Sequence, residues 1–253
     1  MEDPKHRFTD RVDDYQKYRP TYPPEVISFI RENTGVDRTW TVADVGSGTG
    51  ISARLLSWGL KCSILAVEPN GKMRAAAVEA EKDNPFFTSI DGSAERTTLD
   101  DSSVNIVCSF QSFHWFNRTA AREEFRRILK EPKWGLLVWN DRMIDNNGFS
   151  QDYDSMLREF DSYRTSTHKS IALADIQEFF GNCEIRQSEY EKIQVLDWAA
   201  LKGRFSSSSY TPKSGTPEYD QAIRRLRELF DKHKHFEAIE FKYDTRLFLG
   251  CIT

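Results

Sequence analysis

The chain has 253 residues, enough for one large domain with a well-buried core. Hydrophobic residues make up 39%, aromatics 13% and charged residues 29%, with a formal net charge of −4. That balance provides no global basic field for nucleic acid or an anionic membrane. No apolar run approaches the roughly 20 residues that span a bilayer, and the charged opening MEDPKHRFTDRVDDY lacks the apolar stretch of a secretory signal. Cys62, Cys108, Cys183 and Cys251 form no C-x-x-C pair and have no His at metal-ligand spacing. A cytoplasmic protein in a reducing compartment is expected, with no metal.

Residues 1–24 are polar and aromatic, with prolines at Pro20, Pro23 and Pro24. Pro23 and Pro24 are suited to open a helix, which then carries Val26, Ile27, Phe29 and Ile30 at helical spacing. An alternation follows. Strands are predicted over 40–45, 63–67, 86–90, 104–110 and 134–140, and helices over 51–58, 72–82 and 118–130. Short apolar strands alternating with helices imply a parallel sheet covered on both faces. The rhythm then breaks. Residues 141–182 read as helices without a strand, 184–195 as a sixth strand, 197–235 as a helix-rich insertion and 237–252 as a long final strand. Within the second insertion Phe205 to Gly215 is compositionally biased, with Ser206 to Ser209 in a row, and reads as a flexible loop or, alternatively, a phosphate-binding segment. The expected architecture is a single α/β domain over 1–253. Its mostly parallel sheet has seven strands, and the insertions form a helical cap on the substrate side.

The run Val42-Ala43-Asp44-Val45-Gly46-Ser47-Gly48-Thr49-Gly50 carries the strongest chemical signal. A buried strand enters three glycines in five residues and then a helix, so the backbone can approach a ligand closely and offer helix N-terminal amides. This is the first strand-to-helix crossing, where an open parallel sheet binds nucleotides. Glu68 ends the second strand about 20 residues on, where a carboxylate accepts hydrogen bonds from ribose hydroxyls. A dinucleotide enzyme would need glycine at position 51, which is Ile51; the third glycine arrives one residue early and suits a ligand without phosphates.

The run from Asp44 to Gly50 resembles motif I of class I S-adenosylmethionine-dependent methyltransferases, a Rossmann-like family, and Glu68 resembles their motif II acid. Asp91-Gly92-Ser93-Ala94-Glu95 resembles motif III. Gln111-Ser112-Phe113-His114-Trp115-Phe116 and the N-terminal Tyr15-x-x-Tyr18-Arg19-Pro20-x-Tyr22-Pro23 are similar to the group related to trans-aconitate methyltransferase. The resemblance implies S-adenosylmethionine as cofactor. Asp44, Gly46, Ser47 and Gly48 would then face its methionine part, with Gln111 beside them. Glu68 would hold the ribose, Ala94 and Ser93 would meet the adenine edge, and Pro69 and Met73 would flank its face. Residues 1–24 would form a lid, bringing Tyr18 and Arg19 to the cofactor.

On the acceptor side the resemblance draws attention to His114, a candidate general base at the carboxyl edge of the fourth strand, between Phe113 and Trp115. A structural histidine is the alternative. Trp115 and Tyr22 are expected to meet the substrate, a small molecule methylated on a hydroxyl or carboxylate oxygen. His168, His233 and His235 have no supporting context. Two other readings stay open: a non-catalytic cofactor-binding module, and a methyltransferase for protein or RNA. No Asn-Pro-Pro-Tyr motif and no added basic domain supports the latter.

Overall fold

The computed structural model describes residues 11–144, 148–165 and 171–253. Seven strands form one sheet: β1 (Thr41–Val45), β2 (Ser63–Val67), β3 (Phe87–Ile90), β4 (Val104–Phe110), β5 (Leu129–Arg142), β6 (Arg186–Leu196) and β7 (Ile239–Cys251). Their spatial order is β3-β2-β1-β4-β5-β7-β6. The strands from β3 to β5 run parallel, and β7 lies antiparallel to both β5 and β6.

The period of two in a strand sends neighbouring residues to opposite faces. In β5, Leu136 and Val138 enter one core cluster while Leu137 and Trp139 enter the other. In β7, Leu247 and Leu249 enter the first and Phe248 the second. The first cluster is covered by α2 (Glu25–Thr34) and α3 (Ile51–Leu60). The second is covered by α5 (Arg118–Ile128) and α8 (Leu173–Phe180), with α4 (Gly71–Ala80) following β2. On α5 the buried residues Ala121, Phe125 and Ile128 form the i, i+4, i+7 stripe that turns one helix face toward the sheet.

A third cluster joins α6 (Gly148–Leu157), α7 (Asp161–Arg164), α9 (Trp198–Ser206) and α10 (Pro217–His233) to the first half of β7. Tyr219, Ala222, Leu226 and Phe230 supply the buried stripe of α10, and Ile239, Phe241 and Tyr243 receive it. β7 therefore leaves the helical layer and enters the main sheet core within one strand. At the N-terminal side a short helix, α1 (Val12–Tyr18), lies on α9; residues 1–10 of the expected arm lie outside the described residues.

The strand boundaries over β2 and β4 match the predicted ones, while β5 begins at Leu129 and extends to Arg142. The polar stretch Lys130-Glu131-Pro132-Lys133 hid its beginning, and Asp141 and Arg142, paired with Asp244 and Tyr243, hid its end. The flexible-loop expectation for 205–215 is corrected over 205–208, while 213–215 form an exposed turn. Ser207 and Ser208 are fully buried, and their hydroxyls bond the Arg204 carbonyl. Among the described residues no helix is long and apolar enough to cross a membrane, and no group of His, Cys, Asp or Glu converges as a metal site.

Leu249 is fully buried against the first core face, whereas Val195 on the edge strand is 63% exposed. Leu249→Ala should cost about 2–5 kcal/mol. Val195→Ala should stay within about 0.5 kcal/mol of the native chain. Urea unfolding of both variants checks this, and equal midpoints would refute the packing account.

Candidate active site

A cavity of about 700 Å³ opens along the carboxyl ends of the central strands, within the range of about 300–1,000 Å³ usual for small-molecule sites. One end is built on β1, β2 and the turn after β3, the other on β4, β5, β7 and the helical layer.

At the first end, Gly46 leaves β1 with φ +73°, and a Cβ there would stand 2.5 Å from the Ser112 Cβ. Only glycine fits both the conformation and the space. The Gly46 and Ser47 amides both donate to the Val67 carbonyl, at 2.8 and 3.2 Å. The Gly48 amide donates to Glu68 Oε2 at 3.0 Å, and the Asn70 amide to Oε1 at 2.9 Å. Glu68 faces the cavity, and burial holds its carboxyl above the usual range against the pull of these two donors and Arg74. Each oxygen keeps a lone pair for a further donor. Pro69, Met73, Ser93 and Ala94 complete this end; Ser93 and Arg96 are cross-bonded in a tight bridge that fixes the turn.

Asp44 does not line the cavity. It is fully buried beneath the glycine turn, where Ser52 Oγ donates to Oδ2 at 2.6 Å and Oδ1 has no partner among the described residues. Burial pushes its carboxyl up to about 7, Ser52 holding it down and Glu68 adding to the rise. Its position ties β1 to α3 and shapes the turn from beneath.

At the second end, Gln111 adopts φ +54° as the chain leaves β4; its amide donates to the Val138 carbonyl and its Nε2 to the Asn140 carbonyl at 2.7 Å. Phe113 is buried against Phe116, Trp139 and Phe179, which anchors the short turn and leaves His114 and Trp115 half-buried on the cavity wall. Their rings lie 4.8 Å apart.

The arm closes one side. Arg19 and Tyr22 line the cavity, together with Tyr15. Arg19 stacks over the Tyr15 ring at 4.7 Å and donates to the Ser207 carbonyl at 2.8 Å, while Arg11 donates to the carbonyls of Ser206 and Ser208. Tyr22 meets Phe110 edge-on at 4.8 Å. Tyr18 is not brought to the cavity; its ring packs on Gly203 of α9, where no side chain fits, and its carbonyl accepts from Gln194.

Among the cavity residues that the sequence reading did not assign to the site are Arg142, Tyr163, Arg204, Tyr210, Tyr243 and Arg246. Arg142 donates to Asp154 at 2.9 Å and to the Tyr163 hydroxyl at 3.1 Å. Arg204 donates to Ser208 Oγ at 2.9 Å and to the Tyr243 hydroxyl at 3.2 Å. Burial alone would raise the Tyr210 phenol, but the guanidiniums of Arg204, Arg19 and Arg142 bring it below its ordinary value. Of the other histidines, His233 pairs with Asp152 at 2.8 Å, His235 lies beyond α10, and His168 is outside the described residues.

The family model for the methyltransferase domain matches residues 43–135. The chain is 35% identical over 232 residues to an uncharacterized methyltransferase of Mycobacterium tuberculosis, covering 89% of this chain and 86% of that protein. It is 25% identical over 239 residues to an uncharacterized methyltransferase of Schizosaccharomyces pombe, covering 92% of each. A solved structure from Anaeromyxobacter dehalogenans, assigned as a type II methyltransferase, shares the fold with a TM-score of 0.66. The match is at 18% identity over 93% of this chain and 98% of that one. The YcgJ protein of Bacillus subtilis does so at 0.57, 20%, 89% and 97%.

The raised Asp44 carboxyl has a pH signature. Its folded value of about 7 lies above the ordinary 3.8, so the folded state binds more protons through that window and stability falls as pH rises across it. Asp44→Asn removes this contribution. The melting temperature of the variant minus that of the native chain should therefore grow from pH 5 to pH 8, by a few degrees at roughly 2–4 °C per kcal/mol. A difference that does not change with pH would place the charge elsewhere.

Proposed function

Because this chain belongs to the class I S-adenosylmethionine-dependent methyltransferases, we propose that it methylates a small molecule held between the carboxyl edge of the sheet and a cap. Within the predicted insertions 141–182 and 197–235 the cap is the layer of α6, α7, α9 and α10, while α8 covers the sheet core instead, and the acceptor atom is a hydroxyl or carboxylate oxygen. One observation carries the reading: a single cavity joins the glycine turn and Glu68 to Gln111, His114 and Trp115. The residues fit the cofactor. The turn approaches so closely that a Cβ at Gly46 would strike Ser112, and Glu68 retains acceptor capacity toward two hydroxyls.

The bound cofactor supplies an electrophilic methyl group on a sulfonium. Glu68 receives the ribose hydroxyls, and Ser93 and Ala94 meet the adenine edge while Pro69 and Met73 flank its face. Gly46, Ser47, Gly48 and Gln111 lie along the methionine part, with Arg19 set for its carboxylate. The arm, 1–24, acts as a lid that excludes water, so the chain contributes mainly alignment and enclosure. His114 orients the acceptor or takes its proton.

Calorimetry should give micromolar binding of S-adenosylhomocysteine and none of NAD or ATP, and Glu68→Ala should weaken it by about 1–3 kcal/mol. Tighter binding of NAD would overturn the cofactor assignment. Methyl transfer from labelled S-adenosylmethionine into a metabolite extract tests turnover; stoichiometric labelling of purified protein or RNA instead would sink the small-molecule reading.

The pH profile separates the two roles of His114. As base for a hydroxyl, its replacement by Ala should lower the saturated rate by about 10²–10⁴-fold, and the native rate should fall on acidification. With a carboxylate acceptor the folded variant keeps its rate.

A further inference from the structure

We propose that Cys183 and Cys251 form a thiol pair that a low-molecular-weight disulfide oxidises to an intramolecular bridge. The inference is independent of the methyl acceptor. Of the four cysteines, Cys62 and Cys108 are buried in the core on the first face of the sheet. Cys183 and Cys251 are both partly exposed. β6 begins at Arg186, which pairs with Leu249, so β7 runs two residues past its neighbour to Cys251. On that open side the Cys251 amide donates to the Cys183 sulfur at 2.9 Å, and the Cys251 thiol is in hydrogen-bonding reach of the same sulfur. A sulfur so near its partner's amide holds the two Cα atoms within about 7 Å, which reaches into the span of about 4.4–6.8 Å that a disulfide bridges. The Cys183 S–H points to the Glu184 carbonyl at 3.4 Å, a weak bond that the reaction gives up. Cys183 lies in the turn between α8 and β6, so rotation of its side chain brings the sulfurs together without moving a strand.

Burial pushes the Cys251 thiol up to about 11, with Cys183 and Glu131 adding to the rise and Arg186 opposing it. Cys251 therefore keeps its proton, and the first attack falls to Cys183, because the thiolate is the nucleophile. Cys183 loses its proton to solvent and attacks one sulfur of the disulfide RSSR. That S–S bond breaks, one RS⁻ leaves, and a mixed disulfide forms on Cys183. Cys251 then gives up its proton and attacks the Cys183 sulfur, displacing the second RS⁻. The chain loses two electrons and two protons, and RSSR takes up both as two RSH. The bridge joins positions 68 apart, and the loop that it closes holds β6, α9, α10 and β7. Cys251 pairs with Trp134 near the start of β5, whereas the cavity is lined by Asn140, Asp141 and Arg142 at its end. The bridge thus fastens the segment that carries half of the helical layer from the edge of the sheet opposite the cavity. Such a crosslink acts chiefly by restricting the unfolded chain.

The full chain, reduced and freed of reductant, is equilibrated in glutathione buffers of falling reduced-to-oxidised ratio. It is then quenched in acid, alkylated and mapped by peptide mass. One linked peptide pair, carrying Cys183 and Cys251, should appear with the loss of two hydrogens, while Cys62 and Cys108 stay reduced until the chain is unfolded. The bridged chain should melt about 5 °C or more above the reduced one, the scale expected for a loop of this length. Cys183→Ser keeps an acceptor for the Cys251 amide and should show neither the linked pair nor the rise. Cys251→Ser should stop at the glutathione adduct on Cys183, which is the signature of the order of attack. Should either variant fail to fold, the peptide map and melting of the native chain decide. A native chain that carries only the adduct on Cys183, that links a different pair, or that remains reduced in every buffer overturns the bridge. A linked pair with the melting temperature of the reduced chain would overturn the fastening of the segment.

Discussion

The cavity depends on how closely the exit of β4 passes the exit of β1. Ser112 Oγ donates to the Val45 carbonyl at 2.9 Å and meets Ser109 Oγ at 2.7 Å, and the space left beside it admits a glycine and nothing larger. From this contact the first end of the site is fixed by bonds passed from strand to strand. The Gly46 and Ser47 amides hold the Val67 carbonyl, and the Glu68 amide holds Ile90. Since Val45 pairs with Val67 and Val67 with Ile90, Glu68 arrives one residue past the pairing, directly beside the turn. β1 has β2 on one side and β4 on the other, so the crevice lies where the strand order reverses. A side chain at 46 would part the two exits and disturb both ends of the cavity together.

Charge is sorted along the same cavity. Glu68 and Glu95 stand on the wall at the β1–β3 end with Asp44 beneath it, lifted to about 7 by its burial and by Glu68, while Asp141 lines the other end beside Arg246. The arginines collect under the helices. Asp44 and Glu68 oppose one another's ionisation, a cost which the Ser52 hydroxyl and the Gly48 and Asn70 amides offset locally. Arg204 is held in the same way, by the Ser208 and Tyr243 hydroxyls, and the tyrosines around it favour its charged form.

What was legible in the sequence was what depends on neighbours along the chain. A strand followed by glycines and a helix reads directly from 42–50, and the alternation that sends Leu136 and Leu137 to opposite faces is local. The pairing of Glu68 with that turn was also readable, because a short crossover fixes the register of consecutive parallel strands. Arg142 and Arg204 were not, since each looks like an ordinary surface charge until β7 and α9 bring Tyr243 and Asp154 to them from far along the chain. The serine row misled for a related reason. Its composition is that of a flexible loop, yet its carbonyls end α9 and meet arginines nearly 200 residues earlier. Tyr18 and Asp44 were named from motif position alone, and motif position does not say which way a side chain points.

The docking of the arm follows from helix chemistry as much as from the cavity it borders. The last carbonyls of a helix lack intrahelical donors, and its C-terminal end favours cations. Arg11 and Arg19 supply both to the end of α9, on the carbonyls of Ser206, Ser207 and Ser208. The arm is joined to the sheet edge as well. Asn140 reaches the Thr21 carbonyl through Nδ2, takes the Thr245 hydroxyl on Oδ1, and receives Gln111 on its own carbonyl. One buried residue thus links the arm, β7 and the exit of β4. Withdrawing the arm would expose the end of α9 and release a bond on the residue that holds Gln111, so the state of the arm and the shape of the second end of the cavity are physically coupled.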